Sequence, residues 1–511
     1  MKKVVLLAIN SKYIHSTLAV WLIAGSIAHH DAVVVETNIN QSDGDILTAV
    51  CAHNPDVVGI STYIWNAGKL PGILEELRAR LPDAALVLGG PEAAHNVDYW
   101  LSLGADHVLV GAGESTFPAF LDGTQPTPTF IDPFDSKYIA ALDGKIAYIE
   151  ASRGCPFNCA FCLSGESAVE FFPLDAVKAR LIKLERANVR VVKFVDRTFN
   201  AHPARTYDLI EFIIGLNSKN RFHFEVAADL FEPRTLELLA SAPAGLFQIE
   251  AGLQSFFEPA LAASTRKSDL QKAVSNIQTI LQAGNIHIHL DLIAGLPHET
   301  LSDFANSFNQ AYKIGAHKLQ LGFLKMLHGS ALRKNEPSII FESKPPYQII
   351  ESPWLSRNEL EILHKTEHAL QDTYNKGHFM GTIKYALEKS GLTAFEFYRA
   401  LGEFVQKKGR ALEAYAEEIY KFCMTLQGVS SEDLCEYMII DYLSMTKGVN
   451  MPKFLKLGNK VQMKPIIEHV EAALGRKIRK NEAALLPSGK RVYVDSMQQN
   501  VITRLYKIYN I

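Results

Sequence analysis

Between residues 220 and 297 the strand-like runs are apolar only at every second position, and this alternation constrains the fold more than any other feature of the chain. FHFEVAADL sets Phe222, Phe224 and Val226 against His223, Glu225 and Asp229. LFQIEAGLQS opposes Phe247, Ile249, Ala251 and Leu253 to Gln248, Glu250 and Gln254, and IHIHLDLIAGLP opposes Ile286, Ile288, Leu290 and Leu292 to His287, His289 and Asp291. Side chains alternate faces along a strand, so each run has one apolar and one polar face. A sheet covered by helices on both sides would be apolar on both. A parallel sheet curled around an interior, with helices outside, accounts for the pattern. Ordinary barrels fill that interior with branched apolar side chains, so a polar interior argues for a lumen that holds a ligand. The strand and helix alternation of this region runs from about Ile146 to Leu332.

Residues 1–122 read differently. KVVLLAI, AVVVETNI, DVVGIST, AALVLGG and ADHVLVG are apolar without alternation and are separated by helical patterns, among them Ser16–His29 and Ala67–Leu81. Strands buried on both faces belong to a doubly wound parallel sheet, an α/β Rossmann-like domain. Polar or glycine residues follow the strands: Asn10 and Ser11, Ser61 and Thr62, Gly89 and Gly90, Gly111 and Gly113. The carboxyl ends of such strands form the ligand crevice. TQPTPTFIDPF, Thr124–Phe134, has the composition of a linker. After about Phe341 the pattern is helical: Ser356 and Glu359 form a capping box ahead of a run to Tyr374, Phe395–Cys423 is a second long run, and strand signal returns only in RVYVDS. The expected domains are 1–135, 136–340 and a mainly helical 341–511.

A chain of 511 residues exceeds one hydrophobic core, and its 48% hydrophobic and 21% charged content is that of an ordinary globular protein. The opening MKKVVLLAINSKY stops being apolar too early for a secretory signal, and no stretch reaches membrane-spanning length, so a cytoplasmic protein without membrane contact is expected. The net charge is −3, yet residues 451–511 hold twelve Lys or Arg against four Asp or Glu. Such asymmetry belongs either to a solvated basic face or to contact with an acidic partner such as RNA.

Three of the six cysteines lie in RGCPFNCAFCL, residues 153–163, directly after the first strand of the second region. Three thiolates can hold three irons of a cubane cluster, leaving the fourth iron open to another ligand. Zinc usually takes cysteines as CxxC pairs with four ligands in total, and no second pair or suitable His pair occurs here. Cys51, Cys423 and Cys435 fall inside apolar helical patterns, as buried cysteines do.

On these residues the chain resembles the radical S-adenosylmethionine (SAM) superfamily. KFVDRTFN is similar to the family's second-strand motif, EAGLQS to its fourth-strand motif and DLIAGLPHET to its fifth-strand signature. The resemblance implies a partial (β/α)6 TIM-type barrel, and a 4Fe-4S cluster on Cys155, Cys159 and Cys162 whose unique iron is chelated by SAM. GISTY, VLGGPEAAH and GAGE resemble the cobalamin-binding domain that precedes the barrel in one branch of that superfamily. An Asp-x-His-x-x-Gly motif is missing, so no lower axial histidine is indicated. INSKYIHSTLA together with the helical C-terminal region resembles a subgroup that ends in an uncharacterised domain.

The implied cofactor-binding residues are Ser61, Thr62, Tyr63, Gly89, Gly90, Pro91, Glu92, Gly111, Gly113 and Glu114 for cobalamin, and Asp196, Glu225, Glu250, Gln254, Ser255 and Asp291 along the lumen. Asp196 with Arg197 reads equally as a structural ion pair. Tyr13 and His15 stand where they could touch cobalamin or seal a domain interface. His287, His289 and Asp291 are assigned to hydrogen bonding, since ligands two apart on a strand seldom converge on one metal ion. No catalytic acid or base is singled out. The resemblance implies a methyltransferase that uses a 5′-deoxyadenosyl radical and methylcobalamin. Its alternatives are a non-methylating rearrangement, oxidation or cyclisation, and a non-catalytic cobalamin or iron-sulfur sensor. Methylthiolation is disfavoured, because relatives that perform it carry extra N-terminal cysteines and Cys51 stands alone. The substrate is a small molecule or RNA, and a one-electron donor such as flavodoxin or ferredoxin is expected.

Overall fold

The computed structural model describes residues 1–165, 168–405, 411–446, 451–456, 460–479 and 482–510. Its contacts divide into two compact units, one of residues 1–250, 261–276 and 323–353, the other of 251–260, 277–322 and 354–511.

The first unit begins with a five-stranded sheet of β1 (Lys3–Asn10), β2 (Asp31–Asn38), β3 (Val57–Ser61), β4 (Ala85–Gly89) and β5 (His107–Leu109), ordered β2-β1-β3-β4-β5 with every neighbour parallel. Seven of the eight β1 residues are buried, because both faces are covered. Val5, Leu7 and Ile9 pack with Ile46, Ile73, Leu77 and Trp100 on one side. Val4, Leu6 and Ala8 pack with Val20, Phe117 and Leu121 on the other. Burying each such side chain stabilises by roughly 1.5–3 kcal/mol, so continuous apolar strands need this double cover. The strand order reverses between β1 and β3, which places a ligand crevice beyond their carboxyl ends.

The first helix is shorter than its sequence pattern: it spans Leu18–Ser26 rather than Ser16–His29. Ser16 and Thr17 serve the crevice instead, with the Ser16 hydroxyl donating to Glu36 at 2.8 Å and the Thr17 hydroxyl to Asn10 at 2.6 Å. The linker is anchored: the Arg180 guanidinium lies 4.1 Å from the Phe130 ring centre and donates to the Ile131 carbonyl.

A six-stranded sheet follows, with Ile146–Ile149, Val191–Phe194, Arg221–Val226, Phe247–Gln254, His287–Ala294 and Lys318–Phe323 as neighbours in that order. The first three pair in parallel. The first and last strands remain edges, so the sheet is not closed into a barrel among the described residues. The burial of Phe247–Gln254 alternates strictly, matching its two-faced sequence.

The C-terminal part of the second unit is mainly helical. The capping box at Ser356 and Glu359 opens the helix Arg357–Asp372. The run Phe395–Cys423 is two helices, Ala394–Phe404 and Leu412–Cys423, and part of the expected run between them, 406–410, lies outside the described residues. The strand signal in RVYVDS is the centre of a larger element, a three-stranded antiparallel sheet of Ala483–Leu485, Arg491–Gln499 and Tyr506–Asn510. No helix among the described residues is long and apolar enough to cross a membrane.

Candidate active site

The loop after β3 is shaped by one buried amide. Asn66 accepts from the Tyr63 N–H at 2.9 Å and donates to the carbonyls of Ser61 (2.9 Å) and Ile9 (3.2 Å), closing a turn across the ends of β1 and β3. Trp65 donates to the same Ile9 carbonyl at 3.1 Å and stacks on Tyr63 with ring centres 4.3 Å apart. Gly90, after β4, has φ +106°, and a Cβ there would stand 2.6 Å from the Thr62 carbonyl oxygen. Only glycine lets these two loops meet.

Between these loops lies a cavity of about 950 Å3. Ser61, Tyr63, Gly89, Gly90, Pro91, Glu92, Gly111, Gly113 and Glu114 line it, as do His15 and Trp65. It continues past Tyr148, Glu150, Arg153 and Arg197 to Cys162 and Glu225. Thr62 is fully buried behind the wall, where its backbone rather than its side chain is used: its N–H donates to Gly89 and its carbonyl accepts from Glu92. A single space therefore joins the crevice of the first sheet to the cysteine loop. Its volume is at the upper end of pockets for organic ligands, which fits a cofactor as large as cobalamin.

Charged and polar pairs stitch this wall together. Arg153, two residues before Cys155, binds Glu150 through Nε at 3.0 Å and Nη2 at 2.7 Å, and reaches Glu114 through Nη1. His15 Nδ1 and the Tyr148 hydroxyl lie 2.6 Å apart. Burial, with Lys12 and Lys193 nearby, lowers the His15 pKa and keeps the imidazole neutral, while burial raises the Tyr148 phenol. Tyr13 points outward, 74% exposed. Glu92 is buried and accepts from the Tyr347 hydroxyl at 2.5 Å, and burial raises its carboxyl pKa despite that bond.

The cysteine loop is held by backbone bonds from distant segments: Ala160 N–H to the Ser264 carbonyl (2.9 Å) and Leu332 N–H to the Ala160 carbonyl (2.8 Å). All three thiols are free. Cys155 Sγ lies 3.4 Å from the Thr198 hydroxyl, Cys159 Sγ accepts from Arg266 Nη1 at 3.6 Å, and Cys162 Sγ accepts from the Ser164 N–H at 3.4 Å. Arg266 directed at the Cys159 sulfur favours its thiolate, although burial outweighs it and raises the thiol pKa, and three cysteines in one loop are the ligand set of a cubane with one open iron. The residues therefore fit the cluster.

Along the strands Lys193 Nζ lies 3.0 Å from Glu225 and 3.8 Å from Glu250, and His223 Nε2 is 3.0 Å from Glu250. Burial alone would lower the Lys193 ammonium, but the two carboxylates outweigh it and hold its pKa above the ordinary value. Asp196 is buried and points away from the cavity lining. It accepts the Ala151 N–H at 2.9 Å and the Ser152 hydroxyl at 2.6 Å, fixing the approach to the cysteine loop, and burial pushes its pKa up to about 6. Its partners are this backbone and serine rather than Arg197. In the second unit Gln254 (φ +69°) folds over Gly252, where a Cβ would stand 2.1 Å from the Gln254 Nε2. Ser255 is fully buried and donates to Glu299, which also accepts from Ser307 at 3.0 Å. His289 Nε2 and Asp291 Oδ1 are 3.0 Å apart on one strand face.

The sequence reading passed over Arg153, Lys193, Trp65, Thr198 and Arg266. Lys193 carries a signal, since it takes the lumen-facing parity in VVKF; Arg153 carries none beyond its place in the cysteine motif, and Arg266 lies outside every motif.

Comparison with known proteins agrees with this geometry. Residues 4–121 match the B12 binding domain family, 149–311 the radical SAM superfamily, and 336–507 a family described as a protein of unknown function, DUF4080. Among curated proteins, a tRNA-2-methylthio-N(6)-dimethylallyladenosine synthase of Marinomonas sp. (strain MWYL1) is 23% identical over 47% of this chain and 53% of its own length. The corresponding protein of Pseudomonas paraeruginosa is 24% identical over 57% of this chain and 69% of its own length. The chain thus spans little more than half the length of the first of these relatives. Among solved structures, the cobalamin-dependent SAM radical enzyme OxsB aligns with TM-score 0.57 and 13% identity over 93% of this chain and 80% of its own. The radical SAM methyltransferase TsrM of Kitasatospora setae, with cobalamin and a [4Fe-4S] cluster bound, aligns with TM-score 0.53 and 14% identity over 68% and 79%.

Proposed function

We propose that this chain, which belongs to the cobalamin-binding branch of the radical SAM superfamily, is a cobalamin-dependent methyltransferase. One observation carries the reading: a single cavity runs from the glycine-lined crevice of the first domain to Cys162 and the lumen carboxylate Glu225. When bound, the cluster and SAM supply a carbon-centred radical and cobalamin supplies the methyl group, so the protein's task is position and exclusion of water. Cys155, Cys159 and Cys162 hold the cluster, with Arg266 offsetting its negative charge. Ser61, Tyr63, Gly89, Gly90 and Gly111 present backbone and small side chains to a broad ligand. Lys193, Glu225, Glu250 and His223 form the polar lumen face that orients SAM and substrate. In this reading residues 1–135 hold cobalamin, 136–340 perform the radical step and 341–511 serve the substrate, in a cytoplasmic enzyme reduced by a flavodoxin or ferredoxin. The curated relatives are named for a tRNA product, which brings RNA forward as the substrate class.

The test is anaerobic reconstitution with iron, sulfide and cobalamin, followed by spectra and product analysis with SAM and a reductant. Bound cobalamin with both S-adenosylhomocysteine and 5′-deoxyadenosine supports methyl transfer. A cluster that yields 5′-deoxyadenosine alone, with no cobalamin retained, refutes it in favour of non-methylating radical chemistry. A cluster that survives Cys155→Ala, Cys159→Ala and Cys162→Ala together refutes the site.

A further inference from the structure

The C-terminal sheet has an inner and an outer face. Val492 and Val494 are buried, with Ile508 opposite Val494, on the side where the helix Ser431–Met445 packs. By alternation Arg491, Tyr493, Lys507 and Tyr509 take the other side. Tyr493 and Tyr509 are register partners whose rings stack 5.1 Å apart at 16°. The Lys507 ammonium stands 5.0 Å from the Tyr509 ring centre, and both Lys507 and Arg491 are exposed.

By the same alternation Asp495 takes that side too, as the register partner of Lys507. Asp495 and Glu482 are both buried and both taken by Arg476, at 3.0 and 3.3 Å. Arg491, Lys507 and the neighbouring exposed Arg504 therefore face solvent from the segment that carries twelve basic residues against four acidic ones. A tyrosine ladder alone would be an ordinary cross-strand pair. Half-buried tyrosines flanked by the exposed Arg491, Arg504 and Lys507 match a ligand that offers flat rings and regularly spaced phosphates together, which is single-stranded nucleic acid.

We propose that this outer face docks single-stranded RNA. As the identity of the substrate this rests on the methyl-transfer reading, whereas the docking itself needs no cofactor. The test is therefore binding of the full chain, measured by fluorescence anisotropy with a labelled unstructured RNA oligonucleotide over a range of salt, beside its duplex and beside anionic phosphatidylserine vesicles. The expected result is preference for the single strand, with log affinity falling linearly as log salt rises. Arg491→Glu with Lys507→Glu, both on exposed side chains, should lower affinity at least about tenfold and flatten the salt slope. Tyr493→Leu with Tyr509→Leu should lower it about tenfold with the slope kept, since stacking releases no counterions. Circular dichroism establishes that the variants are folded, and the charge pair alone decides should the tyrosine pair not fold. No binding by the native chain, native affinity in the charge-reversed variant, or equal binding to the vesicles each overturns the proposal. Failure here leaves cofactor binding and SAM cleavage intact, and failure of methyl transfer leaves the anisotropy unchanged.

Discussion

Replacing Glu114 tests whether the cobalamin-side loop and the cysteine loop are energetically coupled. Arg153 is 28% exposed and lies between Glu114 at 9% and Glu150 at 18%. A hydrogen bond to a charged group contributes about 1.5–3 kcal/mol net, and a neutral one about 1. Glu114→Gln keeps a neutral acceptor and leaves Arg153 with Glu150, so it should cost about 1–2 kcal/mol. Arg153→Met strands two carboxylates in a mostly buried wall, and removing one partner of a buried pair costs about 3–5 kcal/mol. In that background Glu114→Gln removes an uncompensated charge and should be neutral or stabilising. The double-mutant cycle therefore predicts a coupling of about 1.5–3 kcal/mol. Urea unfolding followed by tryptophan emission is the assay, because Trp21, Trp65 and Trp100, three of the four tryptophans, lie in the first domain. At a slope of about 2 kcal/mol per molar, Glu114→Gln should move the midpoint down by roughly 0.5–1 M. Equal shifts in the native and Arg153→Met backgrounds, within about 0.5 kcal/mol, would refute the coupling.

Glu299 gives a pH prediction. Burial pushes its pKa up to about 7 and one carboxyl oxygen has no hydrogen-bond partner, so the folded chain prefers it protonated. Its unfolded pKa is near 4.3, so the unfolded state loses the proton first as pH rises, and stability falls between about pH 4.3 and 7 and then levels. Up to about 4 kcal/mol is lost across that window, and Glu299→Gln should abolish the slope in urea titrations at successive pH values. At Gly90 the expected loss is steric: Gly90→Ala brings a Cβ to 2.6 Å from the Thr62 oxygen, whereas Gly104, with φ +95°, has nothing within 4 Å. Gly104→Ala should cost only the backbone term of about 1–2 kcal/mol, and Gly90→Ala at least about 1 kcal/mol more. Equal urea midpoints for the two variants would count against the proposed loop contact.

How much of this was legible in the sequence depends on the distance over which each feature is specified. Strand type is local: two-sided burial writes an unbroken apolar run, as in KVVLLAI, and a polar lumen writes alternation, as in LFQIEAGLQS, so both sheets could be read directly. The cysteine triplet is local for the same reason, its spacing being the chemistry. What could not be read is what tertiary structure supplies. Arg266 reaches Cys159 across more than a hundred residues. Asp196 carries a motif's appearance yet spends both oxygens on the backbone and side chain before the cysteine loop. The helix Met380–Ser390 has no side-chain cap of its own, since Phe379 in the left-handed region precedes it. Its cap is Asp441 from the helix Ser431–Met445, accepting from the Gly381 N–H (3.1 Å), the Thr382 N–H (2.7 Å) and the Thr382 hydroxyl (2.7 Å). A local rule for helix starts looks one to three residues away and finds nothing there, while the carboxylate that satisfies the exposed N–H groups arrives from sixty residues downstream. The C-terminal sheet escaped for a related reason. Tyr506–Asn510 carries too weak an alternation to be read alone, and its identity as a strand comes from pairing with Arg491–Gln499, which also builds the tyrosine ladder. The features that remained hidden are thus those whose partner lies elsewhere in the chain, and they are the same features that hold the cysteine loop, the helix start and the basic sheet face in place.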